Sequence, residues 1–250
     1  MKKSITTLIY LIVITLLFAA TVDTVLSAEG LHEEKTFAPS VEASTSGNIL
    51  DKAVFFGDST TYGLFRYNVN NRGEHGRNYR TLKKSQIWVP KDGTFYLGNL
   101  TSASVALADG RNLSLAAACA EFRPEVLIIT VGINGLCSWN QQSFSKYYEK
   151  MIDVFTNASH ETRIILQSVY PTAKNRSADL AAFTNDKVDR LNRWIREIAS
   201  KRKLQYLDTN AALKDENGDL RQEYQNGDGL HLNTQGFNAV LSYIEKHAIY

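Results

Sequence analysis

Three short stretches of the 250-residue sequence carry residue types that could together perform nucleophilic acyl chemistry. The first is Gly57-Asp58-Ser59-Thr60-Thr61, which directly follows an apolar run. A serine between a buried strand and the start of a helix has an accessible hydroxyl, so Ser59 is a candidate nucleophile. Thr61 occupies the second glycine position of a Gly-x-Ser-x-Gly elbow, which excludes that motif. The alternative is that Asp58 or Ser59 only caps the next helix.

A base for such a hydroxyl is offered near the C-terminus, in the stretch NGDGLH at 226–231. A glycine-containing turn can bring the Asp228 carboxylate to one imidazole nitrogen of His231 and leave the other nitrogen free to accept a proton. This pattern predicts an oriented general base. An Asp this close before a His is also common in surface caps, which is the competing interpretation.

The third stretch follows the apolar run that ends at Val131 and contains Asn134 and Gly135. The side-chain amide of Asn134 is a candidate donor to an oxygen that becomes negative during acyl transfer. An asparagine in a left-handed turn before a glycine is the structural alternative. All three stretches follow a predicted strand or precede the last helix, so an α/β sheet would gather them at one edge.

The elements that would position these residues are short apolar runs alternating with longer amphipathic segments. The runs predicted as strands are Ala53–Phe56, Val126–Val131, Arg163–Tyr170 and Leu204–Leu207. Apolar residues at helical spacing predict a helix around Val188, Leu191, Trp194, Ile195 and Ile198, and a closing helix from Phe237 to Ile244. The segment 86–100 could hold a further strand and a hairpin. Strands with little polar alternation are buried on both faces, which predicts a parallel sheet covered by helices.

The sequence resembles the SGNH or GDSL hydrolase superfamily in three motifs: FFGDSTTYG at 55–63, ITVGINGL at 129–136 and NGDGLHLNTQGF at 226–237. The resemblance implies an α/β fold, a three-layer α/β/α sandwich with a parallel, flavodoxin-like sheet of about five strands. It also implies Ser59 as nucleophile, Asp228 and His231 as the rest of the triad, and Asn134 as an oxyanion donor beside the Ser59 backbone N–H. No metal and no organic cofactor is implied.

Two features depart from the family pattern. Gly135 follows Asn134, where the family usually has Asp. The family also uses a glycine from a second block as a backbone oxyanion donor, and this block has no clear counterpart here. Gly98 is the weakly preferred candidate because it follows a possible strand at 95–97, and Gly110 is the other candidate.

Composition and the N-terminus restrict the cellular setting. Lys and Arg number 28 against 26 Asp and Glu, a balance too mild to predict nucleic-acid binding. Residues 1–28 have the order of a secretory signal peptide, with an N-terminal anchor as the alternative; both predict a secreted or extracellular domain. Residues 29–48 are predicted to be a flexible stem, and the hydrolase domain to span 49–250. Cys119 and Cys137 are expected to be free thiols, with a disulfide as the alternative.

The expected function is a secreted serine esterase that hydrolyses short acyl esters, with an acylated glycan as the leading substrate. Six Lys or Arg residues between Arg66 and Lys84 form either a solvated loop or a cleft rim that attracts anions. Aromatic side chains that could stack on sugars or pack in the core are Tyr62, Trp88, Trp139 and Tyr170. A non-catalytic glycan-binding protein and an O-acyltransferase with the same triad are the alternatives. Membrane contact is expected only if the N-terminal segment stays uncleaved.

Overall fold

The computed structural model describes residues 47–70 and 82–250, without the side chains of 67–70. The signal peptide or anchor expected at 1–28 lies outside the described residues, as do nearly all of the stem expected at 29–48 and the centre of the basic stretch. The first described helix is capped by Asn48, whose side chain accepts a hydrogen bond from the Leu50 backbone N–H at 3.0 Å.

The described residues alternate between helices and strands. The helices are α1 (Ile49–Lys52), α2 (Ser59–Asn70), α3 (Leu115–Phe122), α4 (Gln141–Ala158), α5 (Asn185–Arg202), α6 (Thr209–Leu213) and α7 (Thr234–His247). The strands are β1 (Ala53–Gly57), β2 (Ile87–Trp88), β3 (Ser104–Ala106), β4 (Asn112–Ser114), β5 (Val126–Thr130), β6 (Arg163–Gln167) and β7 (Gln205–Leu207). Short 3₁₀ helices lie at Lys84–Gln86, Leu97–Ser102, Ala178–Leu180 and Gln222–Tyr224.

The central sheet has the order β2-β1-β5-β6-β7, and every neighbouring pair is parallel. The chain adds β2 on one side of β1 and then returns to add β5, β6 and β7 on the other side, which is the flavodoxin-like order. The reversal point lies between β1 and β5, where Gly57 pairs with Thr130. In parallel sheets of this kind, ligands bind outside the carboxyl ends of the strands at this point.

Alternate residues of the strands face two separate apolar cores, as the side-chain period of a strand requires. In β5, Leu127 and Ile129 pack with α3, α4 and α5, whereas Val126 and Ile128 pack with α1, α2 and α7. Every residue of β5 is buried, because helices cover both faces of the sheet. This arrangement confirms the three-layer α/β/α sandwich and its five-stranded parallel sheet.

The amphipathic segments form helices where their spacing predicts them. Helix α5 buries one stripe that runs from Val188 to Ala199, and α7 buries the stripe from Phe237 to Ile244. Side chains at this spacing lie on one face of a helix, so each helix packs one side on the sheet and exposes the other.

The structure corrects the prediction for 86–100. A strand is present, but it is limited to Ile87–Trp88, and no hairpin follows within this segment. The strand cannot continue through Pro90, because proline has no N–H to donate. A turn follows, in which the Gly93 N–H donates to the Pro90 carbonyl at 2.8 Å. The hairpin is instead formed by β3 and β4, further along the chain. The strand expected at 163–170 also ends earlier, at Gln167.

Both cysteines are free thiols, as expected: Cys119 is buried and Cys137 is exposed. Across 47–70 and 82–250, no helix is both long and apolar enough to span a membrane.

Candidate active site

Ser59 is the first residue of α2 and follows β1 after a single intervening residue, Asp58. The Asp58 side chain caps this helix: its Oδ1 accepts hydrogen bonds from the Thr60 N–H at 3.0 Å and the Thr60 hydroxyl at 2.9 Å. The end of β1 has no room for a side chain, since a Cβ on Gly57 would lie 2.4 Å from the Thr130 carbonyl oxygen on the neighbouring strand. The chain therefore presents Ser59 at the carboxyl edge of the sheet, beside the reversal point.

Asp228 and His231 lie on one closed loop before α7. Its ends are joined by the bridge between Gln225 and Leu232 and by a hydrogen bond of 2.9 Å from the Asn226 N–H to the His231 carbonyl. Inside the loop, the Asp228 Oδ1 accepts the backbone N–H of His231 at 2.8 Å. The carboxylate is thus fixed by the main chain of the same loop that carries the histidine.

The structure brings Ser59, His231 and Asp228 into one hydrogen-bonded series. His231 Nε2 lies 3.2 Å from Ser59 Oγ, and His231 Nδ1 lies 2.6 Å from Asp228 Oδ2. With Nδ1 carrying the proton towards the carboxylate, Nε2 is left to accept the serine proton. The arrangement can therefore activate a hydroxyl by general-base assistance.

The pKa of Asp228 lies below its usual range. Partial burial raises it, but the hydrogen bonds from the His231 backbone and imidazole and from the Leu230 N–H together outweigh burial. A carboxylate that accepts several hydrogen bonds is stabilised in its charged form. Asp228 is thus an anion beside the imidazole at neutral pH.

Asp58 is electrostatically the opposite of Asp228. It is 1% exposed, and burial raises its pKa against the lowering effect of its hydrogen bonds, chiefly those from Thr60. A carboxyl group taken out of water in this way is stabilised in its neutral form. Through its contacts with Thr60, Asp58 has a structural role in the turn between β1 and α2.

The loop that carries Asp228 is clamped by the segment after β6. The Ala173 N–H donates to the Gly229 carbonyl at 2.8 Å. Gly229 has φ +80°, and a Cβ there would lie 2.6 Å from the Asn175 carbonyl oxygen. Only glycine meets both requirements. Asn185 on α5 holds this segment in turn, since its side chain accepts the Thr172 N–H at 2.8 Å.

Asn134 follows β5 and is half-buried at the same edge of the sheet as Ser59. Its Nδ2 donates one hydrogen bond to the Phe95 carbonyl at 2.8 Å. A side-chain amide has two N–H donors, so this contact orients Asn134 and uses one of them. No local signal in the sequence identifies Phe95 as the group that orients Asn134.

The glycine that departs from the family pattern has a packing reason. Gly135 has φ +83°, and a Cβ there would lie 2.5 Å from the Tyr96 ring and 2.9 Å from Trp139 Nε1. The two rings stack with their centroids 5.3 Å apart. An Asp side chain therefore has no room after Asn134 in this protein, and the stacked pair supports the turn instead.

The two candidates for the second oxyanion glycine differ in their surroundings. Gly98 lies within the 3₁₀ helix Leu97–Ser102 and not after a strand, so the strand expected at 95–97 is wrong. Its segment nevertheless borders Asn134 through Phe95. Gly110 lies in an exposed turn, where its N–H donates to the Leu107 carbonyl at 3.1 Å. That hydrogen bond occupies the donor, which leaves Gly98 as the candidate.

A cleft of about 410 Å³ opens beside the serine, between α2 and the start of α7. It is lined by Ser59, Tyr62, Gly63, Arg66, Asn226, His231, Leu232, Asn233, Thr234 and Phe237. A Cβ on Gly63 would lie 2.8 Å from Cζ of Phe237, so the absence of a side chain lets the two helices close over the cleft floor. The volume falls within the range of small-molecule sites.

The aromatic residues proposed as sugar platforms separate into two groups. Trp88, Trp139 and Tyr170 are buried and belong to the core. Tyr62 is half-buried and lines the cleft.

One residue of the basic stretch, Arg66, also lines the cleft. Residues 71–81 of that stretch lie outside the described part. Within the described ranges, no three His, Cys, Asp or Glu side chains are grouped as metal ligands.

The fold and the site define a flavodoxin-like α/β protein with a serine–histidine–aspartate series at the carboxyl edge of its sheet. Residues 55–239 match the model of the GDSL-like lipase/acylhydrolase family. The chain belongs to this family, and membership supports hydrolase activity. None of the curated proteins searched matches the chain.

Solved structures share the fold at low sequence identity. A candidate platelet activating factor from Streptococcus pneumonia is 19% identical with a TM-score of 0.56, covering 80% of this chain and 84% of that one. A GDSL-like lipase from Bacteroides thetaiotaomicron is 18% identical with a TM-score of 0.53, covering 82% and 90%. A candidate acylhydrolase from Bacteroides fragilis is 16% identical with a TM-score of 0.53, covering 78% and 85%.

Proposed function

We propose that this protein is a serine esterase that hydrolyses short acyl esters through an acyl-enzyme on Ser59. The observation that carries the proposal is the continuous series from Ser59 Oγ through the His231 imidazole to the Asp228 carboxylate, with separations of 3.2 and 2.6 Å. Capping alone would explain each residue separately but does not require the three side chains to meet. Membership in an acylhydrolase family supports the same chemistry.

In the proposed reaction, His231 Nε2 takes the Ser59 proton as Oγ attacks the ester carbonyl carbon. The carbonyl oxygen becomes negative and is stabilised by the free N–H of Asn134 and the backbone N–H groups of Ser59 and Gly98. The imidazolium then gives its proton to the leaving alcohol as the C–O bond breaks. Asp228 stabilises the imidazolium throughout.

The acyl-enzyme is resolved by water in the second half of the reaction. His231 takes a proton from the water, whose oxygen attacks the acyl carbon and forms a second oxyanion. The same proton returns to Ser59 Oγ as the carboxylic acid leaves. No step requires a metal ion or an organic cofactor.

The substrate class and setting are part of the proposal. The cleft beside Ser59 is lined by Asn226 and Thr234 together with the ring of Tyr62, a mixture suited to an acylated glycan. The order of basic, apolar and small residues in 1–28 supports export from the cell. Sequencing the N-terminus of the mature protein tests this setting, because a start after Ala28 supports cleavage and an intact Met1 indicates an anchor.

The experiment is a hydrolysis assay on nitrophenyl esters of increasing acyl length and on acetylated glycans, with wild type, Ser59→Ala and Ser138→Ala. Ser138 is an exposed serine after β5 and serves as the matched control. The proposal predicts fastest turnover of the shortest esters by wild type and Ser138→Ala, and none by Ser59→Ala. Full activity of a folded Ser59→Ala variant would contradict the proposal.

Two other outcomes would replace the proposal. Binding of a glycan without hydrolysis by wild type would indicate a non-catalytic protein. Transfer of the acyl group to an added alcohol in preference to water would indicate an O-acyltransferase, because both reactions share the acyl-enzyme.

A further inference from the structure

One face of α2 carries both the candidate nucleophile, Ser59, and a cation, Arg66, about two turns further along the helix. Ser59, Gly63 and Arg66 are spaced so that they share one side of the helix, and all of them line the cleft. An α-helix rises 1.5 Å per residue, so the backbones of Ser59 and Arg66, seven residues apart, are separated by about 10 Å along the helix axis. The cleft therefore has the candidate nucleophile near one end and a cation near the other.

The charge of this cleft is unbalanced. Arg66 is exposed and takes part in no ion pair with a described residue. No Asp or Glu is present among the described residues that line the cleft. The carboxylate of Asp228 lies behind the His231 ring and is paired with it. A cation in a cleft without an opposing anion attracts a negatively charged ligand.

The walls between the two ends determine how such a ligand lies. The Tyr62 ring is held from behind by the turn at Gly93, where a Cβ would lie 2.9 Å from the ring. Phe237 closes the floor against Gly63. The cleft beside these two rings is also lined by Asn226 and Thr234.

We infer that the site selects esters that carry a carboxylate or phosphate group about 10 Å from the scissile carbonyl, bound by Arg66. The inference rests on the proposed esterase function and names the substrate class for that site. A guanidinium offers several N–H donors in a fixed fork that matches both anions. The anion can belong to the alcohol part of the ester, as in an acylated acidic glycan. It can also belong to the acyl part, as in an acyl chain that ends in a carboxylate.

The test uses two matched sets of chromogenic esters. In the first set the acyl part is suberate or sebacate with a free terminal carboxylate, compared with the same esters capped by methyl groups. In the second set the acyl part is acetate and the leaving group is a biphenol whose outer ring carries a carboxylate, compared with its methyl ester. Both sets place the carboxylate near the inferred distance from the ester carbonyl. Wild type is expected to prefer the anionic member of at least one set by about five- to tenfold in kcat/KM at low ionic strength.

Variants assign that preference to its source. Arg66→Gln is expected to reduce the ratio of anionic to neutral kcat/KM to near one, and Arg66→Lys to retain part of it. Arg193→Gln removes an exposed arginine from α5, on the other side of the sheet, and is expected to leave the ratio unchanged. Added salt should lower the wild-type ratio, because salt screens the attraction between an exposed cation and an approaching anion.

The results distinguish failure of the inference about Arg66 from failure of the proposed esterase function. Equal use of anionic and neutral esters by wild type, or an unchanged ratio in Arg66→Gln, overturns the inference and leaves the esterase proposal standing. Failure of wild type to hydrolyse any ester of either set overturns both.

Discussion

The imidazole Nε2 of His231 lies 3.2 Å from Oγ of Ser59, although 172 positions separate the two residues in the chain. Ser59 is placed by the end of β1 and the start of α2, and His231 by a loop that precedes α7. Helices α2 and α7 pack on the same face of the sheet. The contact therefore depends on the strand order of the sheet and on the helices and loop that carry the two residues. Substitutions can test these elements separately.

The Asp228 side chain should affect rate far more than fold. Asp228→Asn keeps the shape of the side chain but removes the charge that favours the protonated imidazole and holds the Nδ1 tautomer. The expected loss in kcat is about 10³ to 10⁴, as in other serine–histidine–aspartate hydrolases. Steady-state kinetics on a short ester measures it, with circular dichroism as the check on folding. A loss of less than tenfold in a folded variant would argue against the triad.

The side-chain amide of Asn134 should act on the transition state. Asn134→Ala removes the donor while the stacked rings of Tyr96 and Trp139 still support the turn. The expected cost is about 10² to 10³ in kcat with little change in KM, because the oxyanion exists only during reaction. A change confined to KM would show that Asn134 contacts the ground state of the substrate instead.

The sequence predicts much of this site because its local signals depend on one simple rule. Short apolar runs ending in Gly57 and Gly132 mark buried strands, and parallel strands bring the residues after them to one edge of the sheet. That rule places Ser59 and Asn134 together without knowledge of side-chain packing. The loop with Asp228 and His231 is similarly local, since its hydrogen bonds form within a few residues.

The remaining parts of the site depend on contacts that have no local signal. The segment around Phe95 and Tyr96 has neither helical nor strand periodicity, and its position is set by packing on Trp139 and by the amide of Asn134. The strand expected there is wrong because apolar residues in a loop can be buried without pairing. The approach of Phe237 to Gly63 is also a tertiary contact, so the cleft could not be predicted.

The contact between Gly229, in the loop that carries Asp228, and the segment after β6 should not tolerate an added methyl group. Gly229→Ala places a Cβ against the Asn175 carbonyl in a backbone with φ +80°, and should destabilise the protein by about 1 to 3 kcal/mol. Activity should fall in addition, since the displaced loop carries Asp228. Urea unfolding and ester kinetics measure the two effects.

Gly218→Ala is the matched control for that variant. Gly218 has φ +82°, but nothing lies within 4 Å of a Cβ there. The control should carry the backbone strain without the clash, and should retain full activity. If both alanine variants lose the same stability and neither loses activity, the contact at Gly229 does not support the site.

Asp58 should give stability an unusual dependence on pH. Burial raises its pKa in the folded protein, so its contribution is fully present below about pH 4 and is lost as pH rises through the folded value. Asp58→Asn keeps an acceptor for Thr60 and does not titrate. The free energy of unfolding of this variant, relative to wild type, should therefore increase as the pH rises above about 4. A constant difference would show that Asp58 is not shifted upward.

The most direct test of the central claim is covalent labelling of the folded protein with a fluorophosphonate, followed by peptide mass spectrometry. A serine activated by His231 reacts with this reagent, whereas an ordinary surface hydroxyl does not. We expect modification of Ser59 in wild type, its loss in His231→Ala, and no modification of Ser138. An unlabelled Ser59 in folded wild-type protein, or equal labelling in the His231→Ala variant, would contradict the account.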